Sequence, residues 1–188
     1  MGGPCDLLDE AGQVTGPAPP CTDNFQIATF MLDGVEWCSV EQCFQALKFV
    51  SPEKREAMHK MKPEEDDSSG DYGVRMFQAG RERLPIREDW DGVRAEVMYR
   101  VTRAKFAAGP ELQADLLATG STKIGHHGSG FWGIWNPKIM TRLREELRPP
   151  EERAPGLLDG LVAEFAAQLS ASEPLPPPGP AGAAGARV

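Results

Sequence analysis

The chain has no surplus of positive charge: 20 Lys and Arg stand against 28 Asp and Glu among 188 residues, a formal net charge of -8. General nucleic-acid and membrane-surface binders neutralise phosphates with excess Lys and Arg, so this balance argues against both classes while leaving room for a local basic pocket. Long apolar runs are missing too. No stretch approaches the roughly 20 residues of a membrane span, and neither end carries a secretory hydrophobic region. A soluble, intracellular protein is expected, cytoplasmic with a nuclear location left open. The four cysteines, Cys5, Cys21, Cys38 and Cys43, have neither the Cys-x-x-Cys spacing of a zinc knuckle nor the density of a disulfide scaffold, so free thiols are expected. No internal repeat is evident, and the length suits one domain with tails.

Residues 1–22 hold Gly3, Gly12 and Gly16 with Pro4, Pro17, Pro19 and Pro20 and little periodicity, which reads as a flexible N-terminal arm. A domain over residues 23–148 follows. Gln26 to Leu32 and Val35 to Trp37 read as strands joined by Asp33-Gly34, a dipeptide suited to a type I′ turn. Pro52 opens a helix over Glu53 to Met61, and the acidic segment Pro63 to Gly70 reads as a solvated loop. Asp89 is placed to cap a long helix reaching about Phe106, with Trp90, Val93, Val97, Met98, Val101 and Ala104 inward and Arg94, Glu96, Arg100 and Arg103 outward. Gly109-Pro110 starts a short helix ending at Gly120. Residues 121–138 mix Gly, His, Trp and Asn as a pocket-lining loop would. Ile139, Leu143 and Leu147 form a last helical stripe, stopped by Pro149-Pro150. Residues 149–169 supply an extra amphipathic helix, and the Pro, Gly and Ala composition of 170–188 reads as a disordered tail.

The most informative stretch is Trp37 to Phe49. Ser39 and Gln42 make a Ser-x-x-Gln capping box, with Cys38 and Cys43 at the positions of a hydrophobic staple, so a helix starts at Val40. Val40, Cys43, Phe44 and Leu47 form its buried stripe, while Glu41, Gln45 and Lys48 line an adjacent polar one. Glu41 thereby falls in the first turn, where the helix dipole and free N–H groups favour an ionised carboxylate.

Several separated motifs agree with one family. Asn24-Phe25, Phe30, Asp33-Gly34 and the run Glu41-Gln42-Cys43-Phe44-Gln45-Ala46-Leu47-Lys48-Phe49 lead. Gly80-Arg81, Arg87 with Asp89-Trp90, Met98, Lys105-Phe106, Leu117 with Thr119, Trp132-Gly133, Asn136 and Leu143-Arg144 follow in order. In these the chain resembles the NADAR family, also called YbiA-like, over roughly residues 24–147. The resemblance implies an α+β, mainly helical YbiA-like fold in which a small N-terminal β-hairpin sheet is packed by helices. It also implies an N-glycosidase acting on a ribosylated nucleobase or ADP-ribose conjugate, either a riboflavin-pathway intermediate or an ADP-ribosylated guanine. The chain departs from the family at Gly125 to Gly130, which lacks the family's glutamate and aspartate and is about two residues short. A binding module for NAD-derived or ADP-ribose ligands that has lost catalysis is therefore the alternative. Protein contact through the C-terminal helix and tail is a third reading.

Cleaving an N-glycosidic bond builds oxocarbenium character at the anomeric carbon, so the site needs a nearby negative charge. Glu41 is the candidate catalytic group, as base or electrostatic stabiliser. Phe44, Gln45, Trp90 and Trp132 are candidate substrate contacts, the two tryptophans as stacking faces with core packing as the competing use. Lys48, Arg81 and Arg87 are candidates for holding phosphate, with surface ion pairing as the competing use. Asn24 and Asn136 are candidates for ribose hydroxyls or a base edge. His126 and His127 could transfer protons in place of the missing acids. No metal and no cofactor are expected, because adjacent histidines rarely share an ion and no third ligand has a recognisable spacing.

Overall fold

A computed structural model describes residues 4–128 and 130–170. A three-stranded antiparallel sheet is formed by β1 (Asp6–Leu8), β2 (Val14–Pro17) and β5 (Lys123–Gly125), in the order β2-β1-β5. Its register pairs Leu7 with Gly16 on one side and with Ile124 on the other. The expected flexible arm over residues 1–22 is thus corrected from Asp6 onward. A single 3-10 turn at Pro20–Thr22 then leads the chain inward. The strands are only three or four residues long, and the partner of β1 lies more than a hundred residues downstream. No local pattern could announce that pairing.

The hairpin β3 (Phe30–Leu32) and β4 (Val35–Trp37) forms as expected, turning through Asp33 and Gly34 at φ of 52° and 78°. Its first strand is shorter than expected, because Ile27 N–H is taken by Ser69 Oγ and Ala28 N–H by Cys38 O. The hairpin feeds α1 (Val40–Leu47). There the Ser39 hydroxyl accepts from Gln42 N–H at 3.1 Å, and Gln42 Oε1 accepts from Cys38 N–H at 2.8 Å. This is a capping box displaced by one residue at its return bond.

Helix α2 (Pro52–Lys60) is capped by Ser51. Helix α3 (Ser69–Ala79), hidden in the sequence by Gly70, Gly73 and the acidic run before it, is capped by Ser68 and buries Tyr72 and Met76 one turn apart. Helix α4 (Trp90–Ala108) is the longest. Asp89 precedes it without capping it, because its carboxylate is held by Arg87 instead. Helix α5 is Pro110–Leu117. The segment read as a loop over 121–138 is instead β5 and the start of α6 (Phe131–Leu147), with Pro137 accommodated in the first two turns. Helix α7 (Leu157–Ser170) packs on α4 and α6, with the Phe165 ring edge-on to both Tyr99 and Trp135. Residues 171–188, which hold nearly all of the expected tail, lie outside the described residues.

Val40, Cys43, Ala46, Phe49, Val93, Val101 and Ile139 are fully buried in the main core, which joins α1, α4 and α6. Helix α1 sits at its centre, contacting α2, α3 and α4. That position makes its polar stripe an interior one. Among the described residues, no helix is long and apolar enough to cross a membrane, and no group of three or more His, Cys, Asp or Glu side chains is placed to hold a metal.

Candidate active site

Glu41 is 2% exposed, in the first turn of α1. Its backbone N–H donates to Asn24 O at 2.9 Å, and its Oε1 accepts from Gln45 Nε2 at 2.7 Å. Asn24 also donates through Nδ2 to Asn136 Oδ1 at 3.5 Å, which links the segment after the 3-10 turn to α6. Lys48, one turn beyond Gln45, donates to Gly80 O. Asn24, Glu41, Gln45 and Asn136 are all at least nine-tenths buried. Two of their polar atoms, Gln45 Oε1 and Asn136 Nδ2, are buried and make no hydrogen bond within the protein.

The helix dipole does not decide the state of Glu41. It is worth at most about 1 kcal/mol at the end of a short helix, whereas burying a carboxylate costs several. Burial accordingly pushes the Glu41 carboxyl up to about 7, against the Gln45 hydrogen bond and the Lys48 charge, which favour the anion. The expected preference for the ionised form is corrected: near neutral pH Glu41 holds and releases its proton with similar ease.

An aromatic cluster is built around Phe44, three residues after Glu41 on the same helix. The Phe44 ring meets Trp90 at 4.9 Å and Trp132 edge-on at 5.2 Å, and Trp132 meets Phe131 at 4.8 Å. Phe44 and Trp90 are buried, while Trp132 is partly open. Helices α4 and α6 therefore converge on α1 at Phe44.

The other candidates are held elsewhere. One edge of the Arg87 guanidinium, Nε and Nη2, is engaged by Asp89, at 2.9 and 2.5 Å. Arg81 is exposed, its guanidinium over the Phe77 ring. The His126 and His127 rings stack at 4.8 Å, His127 Nδ1 lies 3.2 Å from Asp6 Oδ2, and His126 Nδ1 accepts from Gly128 N–H. Burial, and then the neighbouring His127, lower the His126 pKa and keep that ring neutral. Their contacts are with β1 and their own loop.

Comparison with known proteins decides the family. A family model described as the NADAR domain matches residues 15–148. The chain belongs to the NADAR family. It is 36% identical over 113 residues to "N-glycosidase YbiA" of Escherichia coli, a match covering 58% of this chain and 65% of that one. It is 32% identical to a riboflavin biosynthesis protein of Vibrio vulnificus, covering 70% of this chain and 36% of that one. With an N-glycosidase of Nostoc punctiforme it shares 25% identity over 68% of this chain and 85% of the other. The chain thus spans just under two thirds of YbiA's length. The NMR structure of E. coli YbiA superposes with a TM-score of 0.58 at 29% identity, covering 68% of this chain and 77% of that one.

Within this NADAR chain the structure adds residues that the sequence reading missed. Lys105 is 1% exposed and donates to Cys21 O and Asp23 O, both at 3.0 Å, so a buried ammonium clamps the segment that delivers Asn24. Burial lowers this ammonium to about 8. The signal was present in the sequence: 93, 97, 101 and 105 fall at i+4 steps, and the first three are valines of the inward stripe. Asp23, whose carboxylate accepts Phe25 N–H at 2.9 Å, is a second acidic group near Glu41 and raises its pKa further.

Gly80 is required by the site rather than by its backbone angles. A Cβ there would lie 2.1 Å from Gln45 Oε1 and 2.4 Å from Gln45 Cδ. Gly80→Ala is expected to swing Gln45 off Glu41, remove a bond that favours the anion, and raise the Glu41 pKa further. An NMR titration of the Glu41 carboxyl carbon checks this, with an upward shift as the expected result and an unchanged midpoint as the contrary one.

Proposed function

We propose that this NADAR chain is an N-glycosidase that hydrolyses the bond between a nucleobase and ribose, in a phosphorylated ribosyl-base or an ADP-ribose conjugate. The observation carrying the reading is Glu41: a buried carboxyl with a pKa near neutrality, fixed by Asn24 and Gln45 beside a partly open aromatic cluster. Relatives named as N-glycosidases support it.

In this reading the base stacks on the partly open side of Trp132, with Phe44 and Trp90 packed behind it, which directs the glycosidic bond toward Glu41. The Glu41 carboxylate faces the anomeric carbon, where positive charge develops as the C–N bond breaks. In a water-poor site one oriented carboxylate is worth far more than in bulk solvent. Gln45 fixes the orientation of Glu41, and the Lys48 charge keeps part of it ionised. The unpaired Asn136 N–H, with Asn24 behind it, suits a ribose hydroxyl. Water completes the reaction by forming the new C–O bond, and the departing base nitrogen takes up a proton.

The substrate class divides into two candidates, a phosphoribosylamino-pyrimidine and an ADP-ribosylated guanine; a relative named for riboflavin biosynthesis favours the first. The test is incubation of the full chain with each, followed by mass detection of free base. Release of base from either supports the reading. Binding of both with no release over many hours contradicts it and favours the lapsed binding module, for which the acid-free loop over 125–128 is the specific argument.

A further inference from the structure

The residues expected to hold phosphate are mostly engaged: Arg87 by Asp89, and Lys48 by Gly80 O. Arg94 is different. It stands one turn after Trp90 on α4, so the two side chains share a face. Trp90 reaches Phe44, while the Arg94 guanidinium lies flat against Phe131 at 3.8 Å from its centroid, and Phe131 continues through Trp132 back to Phe44. Arg94 therefore joins the aromatic cluster at Phe131, two rings away from Phe44. Its Nε is buried and has no hydrogen-bond partner, and its contact with Asp91, at 3.1 Å from Nη1, is to a carboxylate that is 88% exposed.

A buried N–H without an acceptor is unfavourable, so this edge of the fork is held ready at the expense of stability. Burial also decreases from Glu41, at 2% exposed, to Arg94, whose side chain is 31% exposed. A substrate lying along the cluster would keep its uncharged glycosidic bond deep and its strongly solvated anionic group shallow, where desolvation is cheapest. Resting on the glycosidase reading above, we propose that Arg94 is the anion anchor of the site, gripping the phosphate or pyrophosphate of the substrate at the rim of the aromatic cluster. Planar bidentate recognition of phosphate is what the guanidinium fork does best, and stacking on Phe131 holds its plane. The bland use of Arg94 is a cation–π cap on Phe131 alone.

Calorimetric titration of the full chain with ADP-ribose and with adenosine separates these uses. Arg94→Met is expected to weaken ADP-ribose binding about 30-fold, as loss of a charge-assisted hydrogen-bonded contact does, while leaving Tm no lower and any adenosine binding unchanged. Arg81→Met is expected to change neither ligand appreciably. Equal weakening of both ligands by Arg94→Met, a loss that follows Arg81 instead, or no ADP-ribose binding by the wild type would overturn the anchor. Base release by a wild type whose ADP-ribose affinity survives Arg94→Met removes the anchor and leaves the glycosidase standing. Arg94-dependent ADP-ribose binding without base release from either substrate does the reverse.

Discussion

Glu41→Gln is expected to slow turnover severely and to stabilise the protein at the same time. General acid–base and charge-stabilising carboxylates contribute typically 10²–10⁴ in rate, and loss of about 10³ in kcat is predicted here with KM little changed. The stability effect follows from the same burial. The carboxyl has a pKa of about 7 in the folded protein against 4.5 for the unperturbed group. A raised carboxyl pKa means that the folded state holds its proton more tightly than the unfolded state. The favourable contribution is therefore full below about pH 4.5 and lost as pH rises through 7. The shift corresponds to about 3 kcal/mol. A glutamine carries no charge to desolvate and can still pair with Gln45. The variant should melt about 9 °C above the wild type at pH 8, and the gap should shrink toward pH 5. Thermal melts at the two pH values check this. A variant that is less stable than the wild type at pH 8 would show that the Glu41 anion stabilises the fold and is not strained by it.

Gly133→Ala is expected to cost stability and substrate affinity together. A Cβ at Gly133 would sit 1.9 Å from the backbone carbonyl oxygen of Gly128, an atom that no side-chain rotation can move away. The loop after β5 and the first turn of α6 must therefore separate, and Trp132, adjacent to the change, must leave its 5.2 Å contact with Phe44. Overpacking of this kind costs about 2–3 kcal/mol, or roughly 8 °C in Tm for a chain of this size. Displacing a stacking face by an ångström should raise KM tenfold or more. Gly160→Ala is the matched control. Gly160 lies within α7, and a Cβ added there would meet nothing within 4 Å, so alanine should gain about 0.5–1 kcal/mol from helix propensity alone. If the two substitutions had the same sign, close packing at Gly133 would not be the cause.

What the sequence made legible was local. The cap at Ser39, the start of α1 at Val40, the Asp33-Gly34 turn and the inward face of α4 all rest on residues within one or two turns of each other, and the structure has them. The sheet around β1 was not legible, because Leu7 meets Ile124 across the whole chain. Helix α3 was obscured because its two glycines argue against a helix until Phe25 is seen packed on one of them, at Gly73. Asp89 looked like a cap and is an ion-pair partner, a competition between backbone N–H groups and a nearby guanidinium that spacing alone does not settle. In the candidate site, Glu41, Gln45 and Lys48 were readable as one stripe of α1. That the stripe faces inward was not, since α2, α3 and α4 all close over that helix. This burial removes the expected preference of Glu41 for the charged form.

The most direct test is the pH dependence of kcat for base release between pH 5 and pH 9. With Glu41 acting as the anion, kcat should rise with pH along a single limb centred near 7, and the limb should be absent from the residual activity of Glu41→Gln. A profile flat through neutrality, or a limb that persists in Glu41→Gln, would contradict the role given to Glu41.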